Sequence, residues 1–314
     1  MKKIFTLILF CLVIQFNFAQ ELILNEYDHQ ISRSTYHLKG KIKQITTTAS
    51  DKNGQSITLP FLENELYNEI KLEFNTKGNL TKRTNLLDYR GKLGIFNYID
   101  YSYNNNQQLI EQKTTVINNG EDPLRVASLK QFQYDSKGQL AQLTEVVKTK
   151  NSTLSYQTDF EYTNRLDQIK TKVDGSVLSV KKLTYNSKGL LNREENTSFD
   201  GKKGLNKYYI YDQETPVYIE EEVDQRKQIQ FVDLAKGSTK YQQFDQNQNL
   251  KLELIFNNSK NVTEAKVLTY QNGKPTLKTY QLNYEFDSTG NWTKATISSG
   301  NEIQYYLKRT IQYE

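Results

Sequence analysis

The chain has 314 residues, 41 Lys and Arg against 36 Asp and Glu, and a single cysteine. Its net charge of +5 is spread without a basic block, which describes a solvated surface and excludes a nucleic-acid footprint. Twenty-two tyrosines against one Met and one Trp, with few long apolar runs, favour strands over a thick helical core.

Lys2-Lys3, an apolar run from Ile4 to Ile14 and Asn17-Phe18-Ala19 before Gln20 describe a secretory signal peptide. The run is too short for a spanning helix, which needs about 20 residues. Cleavage is expected between Ala19 and Gln20, leaving 1–19 as leader and 20–314 as one domain without a linker. Cys11 falls in the leader, and Phe10 before it is not the small residue that a lipid-anchoring signal wants. The mature chain is therefore expected to lack disulfides and thiolate metal sites. Losing Lys2 and Lys3 lowers its charge from +5 to +3. The expected location is periplasm, cell surface or medium.

Glu21 to Tyr36 is the least repetitive part, read as a short strand at Leu22-Ile23-Leu24 and a cap over the first sheet edge. A strand is expected over Gln44–Thr48, then a turn at Asp51-Lys52-Asn53-Gly54. Between Leu59 and Leu72, with Pro60 and several Glu and Leu, a short helix and a strand compete.

From Phe74 onward one unit recurs: Phe74-Asn75-Thr76-Lys77-Gly78-Asn79-Leu80, Tyr134-Asp135-Ser136-Lys137-Gly138-Gln139-Leu140, Tyr185-Asn186-Ser187-Lys188-Gly189-Leu190-Leu191 and Phe286-Asp287-Ser288-Thr289-Gly290-Asn291-Trp292. The Asp or Asn accepts a hydrogen bond from the backbone N–H two residues on. The next two polar residues suit a type I turn, and Gly supplies the left-handed residue that closes it with a bulge. Turns also begin at Asn104 and Asp245. Weaker ones fall between, including Asp88 to Gly91, Asn118 to Gly120, Asp174-Gly175, Asp200-Gly201, Lys236-Gly237, Asn257-Asn258 and Asn272-Gly273. Turns every roughly 9 to 17 residues leave strands of ordinary length, and a larger unit of about 23 to 33 residues marks a repeat architecture. Gln107 and Gln248 replace the turn Gly, Tyr162 to Leu166 is shortened, and Tyr211 to Pro216 carries a Pro. Those turns are expected to be looser or of another type.

Within strands, Phe132 and Tyr134 share one face while Gln131 and Gln133 take the other, and Leu282 to Phe286 alternates cleanly. The fold class is all-β, an antiparallel meander of about twenty strands forming one curved or spiralling sheet or shell, because sheets beyond about ten strands curl. A β-propeller is the alternative.

The Tyr-Asp-x-x-Gly-x-Leu unit at Tyr134 to Leu140, with its looser copies at Phe74, Tyr185 and Phe286, resembles the YD repeat of RHS-type proteins. From about Gly40 the chain is similar to secreted YD-like repeat proteins of the Bacteroidetes type. The resemblance implies antiparallel hairpins spiralling into one curled sheet that encloses a hollow in large members. Here the usual Gly-Arg step is Gly-Asn or Gly-Gln, and no self-cleaving core or toxin segment is matched.

No residue is assigned to catalysis, a cofactor or a metal. His29 and His37 have no paired spacing for zinc, and no nucleophile elbow or phosphate loop appears. Asp245-Gln246-Asn247-Gln248-Asn249 has alternating oxygens, but Leu250 and Phe256 stand where a calcium loop wants Gly and Glu. Glu220-Glu221-Glu222 point to alternate faces and make no carboxylate pair. Trp292 and the tyrosines fit sheet packing better than a sugar platform. An outer-membrane barrel would need an uncharged lipid face, which Lys71 to Phe74 allows on one side and Gln225 to Gln230 does not. The function expected is a non-enzymatic binding or scaffold protein, with a glycan or another polypeptide as partner. A carbohydrate-active protein and an outer-membrane barrel are the alternatives.

Overall fold

The computed structural model describes residues 31–59, 67–89, 91–117, 125–149, 151–212, 215–223, 226–233, 238–244, 249–259, 261–271 and 274–314. The leader with its Ala19–Gln20 junction, His29, and the turns at 118–120, 236–237, 245–248 and 272–273 lie outside these residues. All regular structure among them is β.

The first strands are β1 (Ile42–Asp51), β2 (Glu69–Phe74), β3 (Leu80–Tyr89), β4 (Lys92–Tyr103) and β5 (Leu109–Val116). There follow β6 (Arg125–Tyr134), β7 (Leu140–Lys148), β8 (Thr153–Tyr162), β9 (Leu166–Val173) and β10 (Ser176–Tyr185). Next come β11 (Leu191–Ser198), β12 (Lys203–Asp212), β13 (Thr215–Val223), β14 (Arg226–Asp233) and β15 (Ser238–Phe244). The last are β16 (Leu250–Phe256), β17 (Val262–Gln271), β18 (Lys274–Phe286), β19 (Trp292–Ser299) and β20 (Glu302–Tyr313). The competing stretch before Leu72 ends as strand from Glu69.

Each strand pairs antiparallel with its neighbours in the chain. β1 also pairs with β20 over nine opposed residues, Ile42↔Tyr313 to Asp51↔Tyr305. The ladder thus returns to its start and leaves no free edge strand. A propeller would interrupt it every four strands, so that alternative is wrong.

One face can be followed strand by strand through opposed pairs. It runs Ile45↔Leu72, Leu72↔Arg83 and Arg83↔Ile99, then Gln112↔Lys130, Phe132↔Leu143 and Phe160↔Ile169. It continues through Leu183↔Glu194, Leu254↔Ala265, Leu282↔Ile297 and Ala295↔Leu307. Most apolar members of this face are buried. The opposite face carries cross-strand ion pairs such as Lys172–Asp159 at 2.7 Å, Lys170–Glu161 at 3.0 Å and Lys294–Glu285 at 2.7 Å. In a closed sheet, side chains converge inside and diverge outside, so the apolar face is the inner one. A lipid-facing band would need the reverse arrangement.

Of the stretch expected to cap a sheet edge, 21–30 lies outside the described residues, and 31–36 meets no free edge, since every described strand is paired on both sides. Residues 31–41 cross one rim at the seam of the ring. Arg33 N–H donates to Gly78 O (2.8 Å), and its guanidinium donates to Gly40 O and Thr76 O. Lys39 N–H donates to Asn291 Oδ1 and Asn291 Nδ2 returns to Lys39 O, both at 2.8 Å. The strap lies so close that a Cβ on Gly78 would sit 2.6 Å from Arg33 Nε.

Candidate functional site

The inner wall has three levels: a sealed rim, a polar belt midway along the strands, and an open rim.

At the sealed rim, the turn residues singled out by the repeat stand together. Asp135 Oδ1 accepts from Lys137 N–H and Gln139 N–H at 2.8 Å, while Gly138 N–H donates to Asp135 O. Asn75, Asn186 and Asp287 make the same set of bonds, and Gly78, Gly138, Gly189 and Gly290 all have positive φ. Gln107 departs from expectation. Its turn keeps the bonds from Gln107 N–H to Asn104 O and from Gln108 N–H to Asn104 Oδ1, with Gln107 itself in the left-handed region at φ 65°. The hydrogen bonds outweigh the strain of a side chain there. The Asn257 turn, expected to be weak, has both side-chain bonds, from Ser259 N–H and Asn261 N–H to Asn257 Oδ1. The connection at Asp245 joins β15 to β16, and strand parity places it at the opposite rim, out of phase with the other strong turns.

Each turn leaves a bulge, and the carbonyl of the first residue after the turn accepts from a tyrosine hydroxyl on the next strand. Tyr103 reaches Leu80 O, Tyr134 Leu109 O, Tyr162 Leu140 O, Tyr185 Leu166 O and Tyr211 Leu191 O, at 2.5–3.0 Å. Phe286 has no hydroxyl, and Tyr284 takes its place by reaching Val262 O, which leaves Phe286 exposed. Burial pushes the Tyr134 and Tyr211 hydroxyls up to about 12. Leu80, Leu109, Leu140, Leu166 and Leu191 are fully buried beneath this layer.

The belt replaces apolar residues by polar ones on the same inner face. Arg83 Nε donates to Asn85 Oδ1, and Asn85 Nδ2 to Asn97 Oδ1. Lys130 stands opposite both Gln112 and Glu145. Glu194, 2 % exposed, pairs with Lys181 at 3.1 Å, accepts from the Tyr209 hydroxyl and stands opposite Lys207. Thr47 faces Arg309, whose guanidinium lies 3.6 Å over the Trp292 ring. With Tyr284 against that ring edge-on, Trp292 is engaged in packing and not free to stack a sugar.

At the open rim several large apolar side chains are exposed. Leu154 on β8 stands on the inner face, whereas Leu93 and Ile95 on β4, Val177 on β10, Leu277 on β18 and Ile303 on β20 lie on the outer face opposite Asp88, Leu86, Lys172, Leu268 and Ser298, and Phe199 is 76 % exposed between β11 and β12.

The polar face is satisfied by its own charges. Burial pushes the Glu253 carboxyl up, but hydrogen bonds from Lys240, Lys266 and Gln242 outweigh it and hold it at about 2. A cavity of about 460 Å³ is lined by Glu161, Asp167, Gln168, Lys182 and Glu195 among others. Glu161 there is already bonded to Lys170 and Gln168, and Asp167 to Thr163 N–H. Among the described residues no group of three His, Cys, Asp or Glu is arranged to hold a metal. The calcium-like run at 245–248 lies outside them, as do the side chains of Glu220 to Glu222.

The belt was missed in the sequence. Its signal was a charge at the period-two position of an apolar face, as where Lys130 precedes Phe132 and Tyr134 by even steps.

No family model matches the chain, and no curated protein resembles it. A porin-like protein from Bacteroides uniformis is similar at 10% identity and a TM-score of 0.36, over 87% of this chain and 99% of that one. A porin-like protein from Bacteroides vulgatus aligns at 14% identity and TM-score 0.28, over 87% and 98%. TcdB2-TccC3 aligns at 12% identity and TM-score 0.26, over 76% of this chain and 16% of its own. Likenesses this distant carry no argument about the present chain.

Proposed function

We propose that the protein is an exported, non-enzymatic binding shell that takes its partner on the inner face of the ring. One observation carries the reading: the strand ladder closes on itself around an apolar inner face, which the tyrosine layer seals at one rim and which ends at the other in the half-exposed Leu154. Lys2-Lys3 and the run to Ile14 support export. The charged outer face speaks against a membrane-spanning barrel, and the packed Trp292 against a sugar platform.

The test is native isolation of the full chain from fractionated cells, with mass spectrometry of whatever accompanies it. The expected result is a chain beginning at Gln20 in an exported fraction, carrying a bound molecule. Retention in the cytoplasm, an empty chain, or substrate turnover abolished by one substitution would each overturn the proposal.

A further inference from the structure

We infer that residues 31–41 are a clasp over the joint at which the ring opens, the seam between β1 and β20. For the binding shell proposed above, which this inference extends, the seam is the way in. Asn85, Gln112, Glu194 and Arg309 of the belt are buried in the closed ring, so a partner reaches them only when the wall parts.

The first argument is connectivity. Every other pair of neighbouring strands is consecutive in the chain and joined by a turn or loop. β1 and β20 stand at its two ends, held by their ladder, their packing and the strap. Parting them stretches no connection. Closing them brings together the ends of the whole chain, which costs more loop-closure entropy than any hairpin.

The second argument is what the seam lacks. On its outer face Gln44 meets Gln312, Thr46 meets Thr310 and Thr48 meets Lys308. No carboxylate stands there against a cation, as Asp159 does against Lys172. On the inner face Ile45 meets Ile311, Thr47 meets Arg309 and Ala49 meets Leu307. Ile45 belongs to one apolar cluster of the core and Ala49 and Leu307 to the other, with the polar Thr47 and Arg309 between them.

The third argument is where the strap holds. On the β1 side it is fastened to the β2–β3 hairpin. Leu80 N–H and the Tyr103 hydroxyl donate to Ile31 O, and Tyr36 packs edge-on against Phe74. On the β20 side Asn291, 3 % exposed, exchanges two bonds with Lys39 and donates to the Tyr313 hydroxyl at 2.9 Å. Glu314 N–H donates to Lys41 O at 2.9 Å, and the Arg33 guanidinium lies 3.8 Å from the Glu314 carboxylate. Elsewhere on this rim neighbouring turns hold one another directly, as Asn79 holds Gln107 and Gln108 holds Gly138. Across the seam the strap takes that place.

Amide hydrogen exchange of the full chain, resolved by residue with fragmentation mass spectrometry, tests the inference. Alternate amides of an antiparallel strand point to opposite neighbours. Those of β1 and β20 that face each other report the seam, and those facing β2 and β19 are an internal reference. Asn291→Ala removes three bonds of the clasp, and Arg33→Ala removes those to Gly40 O and Thr76 O with the Glu314 pair. Each is expected to speed the seam amides by at least about tenfold through local opening, with β7 and β8 unchanged. Gln108→Ala, which cuts a bond between turns away from the seam, should leave the seam amides as they are. Thr46→Cys with Thr310→Cys sets two thiols opposite each other, within disulfide reach at a Cα separation of about 4.5–5.5 Å. In Asn291→Ala the oxidised pair should restore the parent exchange and the reduced pair should not. In the parent the oxidised pair should slow the seam amides alone, and this arm serves if a clasp variant fails to fold. Seam amides unmoved in both clasp variants, exchange rising equally in every strand, or an oxidised seam exchanging as fast as a reduced one would each overturn the inference. No ligand enters these readings, so an empty chain on native isolation would remove the shell reading and leave the clasp standing.

Discussion

The two rims of the ring are built from the same strands and obey different constraints. At the sealed rim each hairpin must reverse in a fixed geometry, so Asp or Asn, Gly and an aliphatic residue recur, and a tyrosine hydroxyl on the next strand closes the carbonyl left by each bulge. At the open rim the connections vary in length and chemistry. Asp174-Gly175 makes one, Phe199 to Lys202 another, and large apolar side chains stand in water at several of them. Repetition therefore marks where the backbone is demanding.

The most direct way to break this comparison is to truncate one leucine at each rim. Leu140 is 1% exposed beneath the tyrosine layer, and Leu140→Ala should cost about 2–5 kcal/mol in transfer and cavity terms. Leu154 at the open rim is 36% exposed, and Leu154→Ala should fall within about 0.5 kcal/mol. Denaturant midpoints check both, and similar losses at the two sites would end the distinction between rims.

Between the rims, the outer wall is tested by pH. The folded Glu253 carboxyl, at about 2, lies below the ordinary 4.5. A depressed carboxyl contributes stability that is present above about pH 4.5 and is lost as pH falls toward 2. Glu253→Gln should remove that acid dependence at a cost of about 2 kcal/mol at neutral pH, the size of a hydrogen bond to a charged group. A variant whose acid limb matches the parent would show the Lys240–Glu253–Lys266 cluster to be inert.

A smaller effect sharpens the account of the sealed rim. Tyr134→Phe removes the bond to Leu109 O and keeps the ring, so about 1 kcal/mol should be lost. The hydroxyl's raised pKa, about 12 against an ordinary 10, adds a sign. Its stabilisation is complete below pH 10 and disappears as pH rises toward 12. Alkaline melting of parent and variant should therefore converge in that window.

The hairpin fold was legible because its turns are local. Asp135, Gly138 and Leu140 answer to backbone geometry within seven residues, and their copies gave the strand number and the alternation. Closure was less legible, since the pairing of Ile45 with Ile311 joins strands at opposite ends of the chain and no local pattern requires it. The belt was hidden for a related reason. Lys181 and Glu194 look like ordinary surface charges until the register sets them on the inner face. The phase slip at Asp245 could not be read either, because its motif is that of the other strong turns.

The smallest prediction concerns Gln107, where a side chain occupies the place glycine holds in the Asp135 turn. A non-glycine residue at φ 65° carries roughly 1–2 kcal/mol of steric strain, which Gln107→Gly would release. Two terms oppose the gain. Glycine loses more backbone freedom on folding, and the substitution removes the bond from Asn79 Nδ2 to Gln107 Oε1 at 3.0 Å, which ties this turn to its neighbour. The expected net is a gain of about 0.5 kcal/mol, measured as a raised denaturant midpoint at unchanged slope. Gly138→Ala, at φ 78°, should move the other way by about 1 kcal/mol, because alanine meets the strain with no such bond in return. If Gln107→Gly is instead destabilising, the bond between turns outweighs the strain, and the sealed rim is held by contacts between its turns as well as by the tyrosines beneath them.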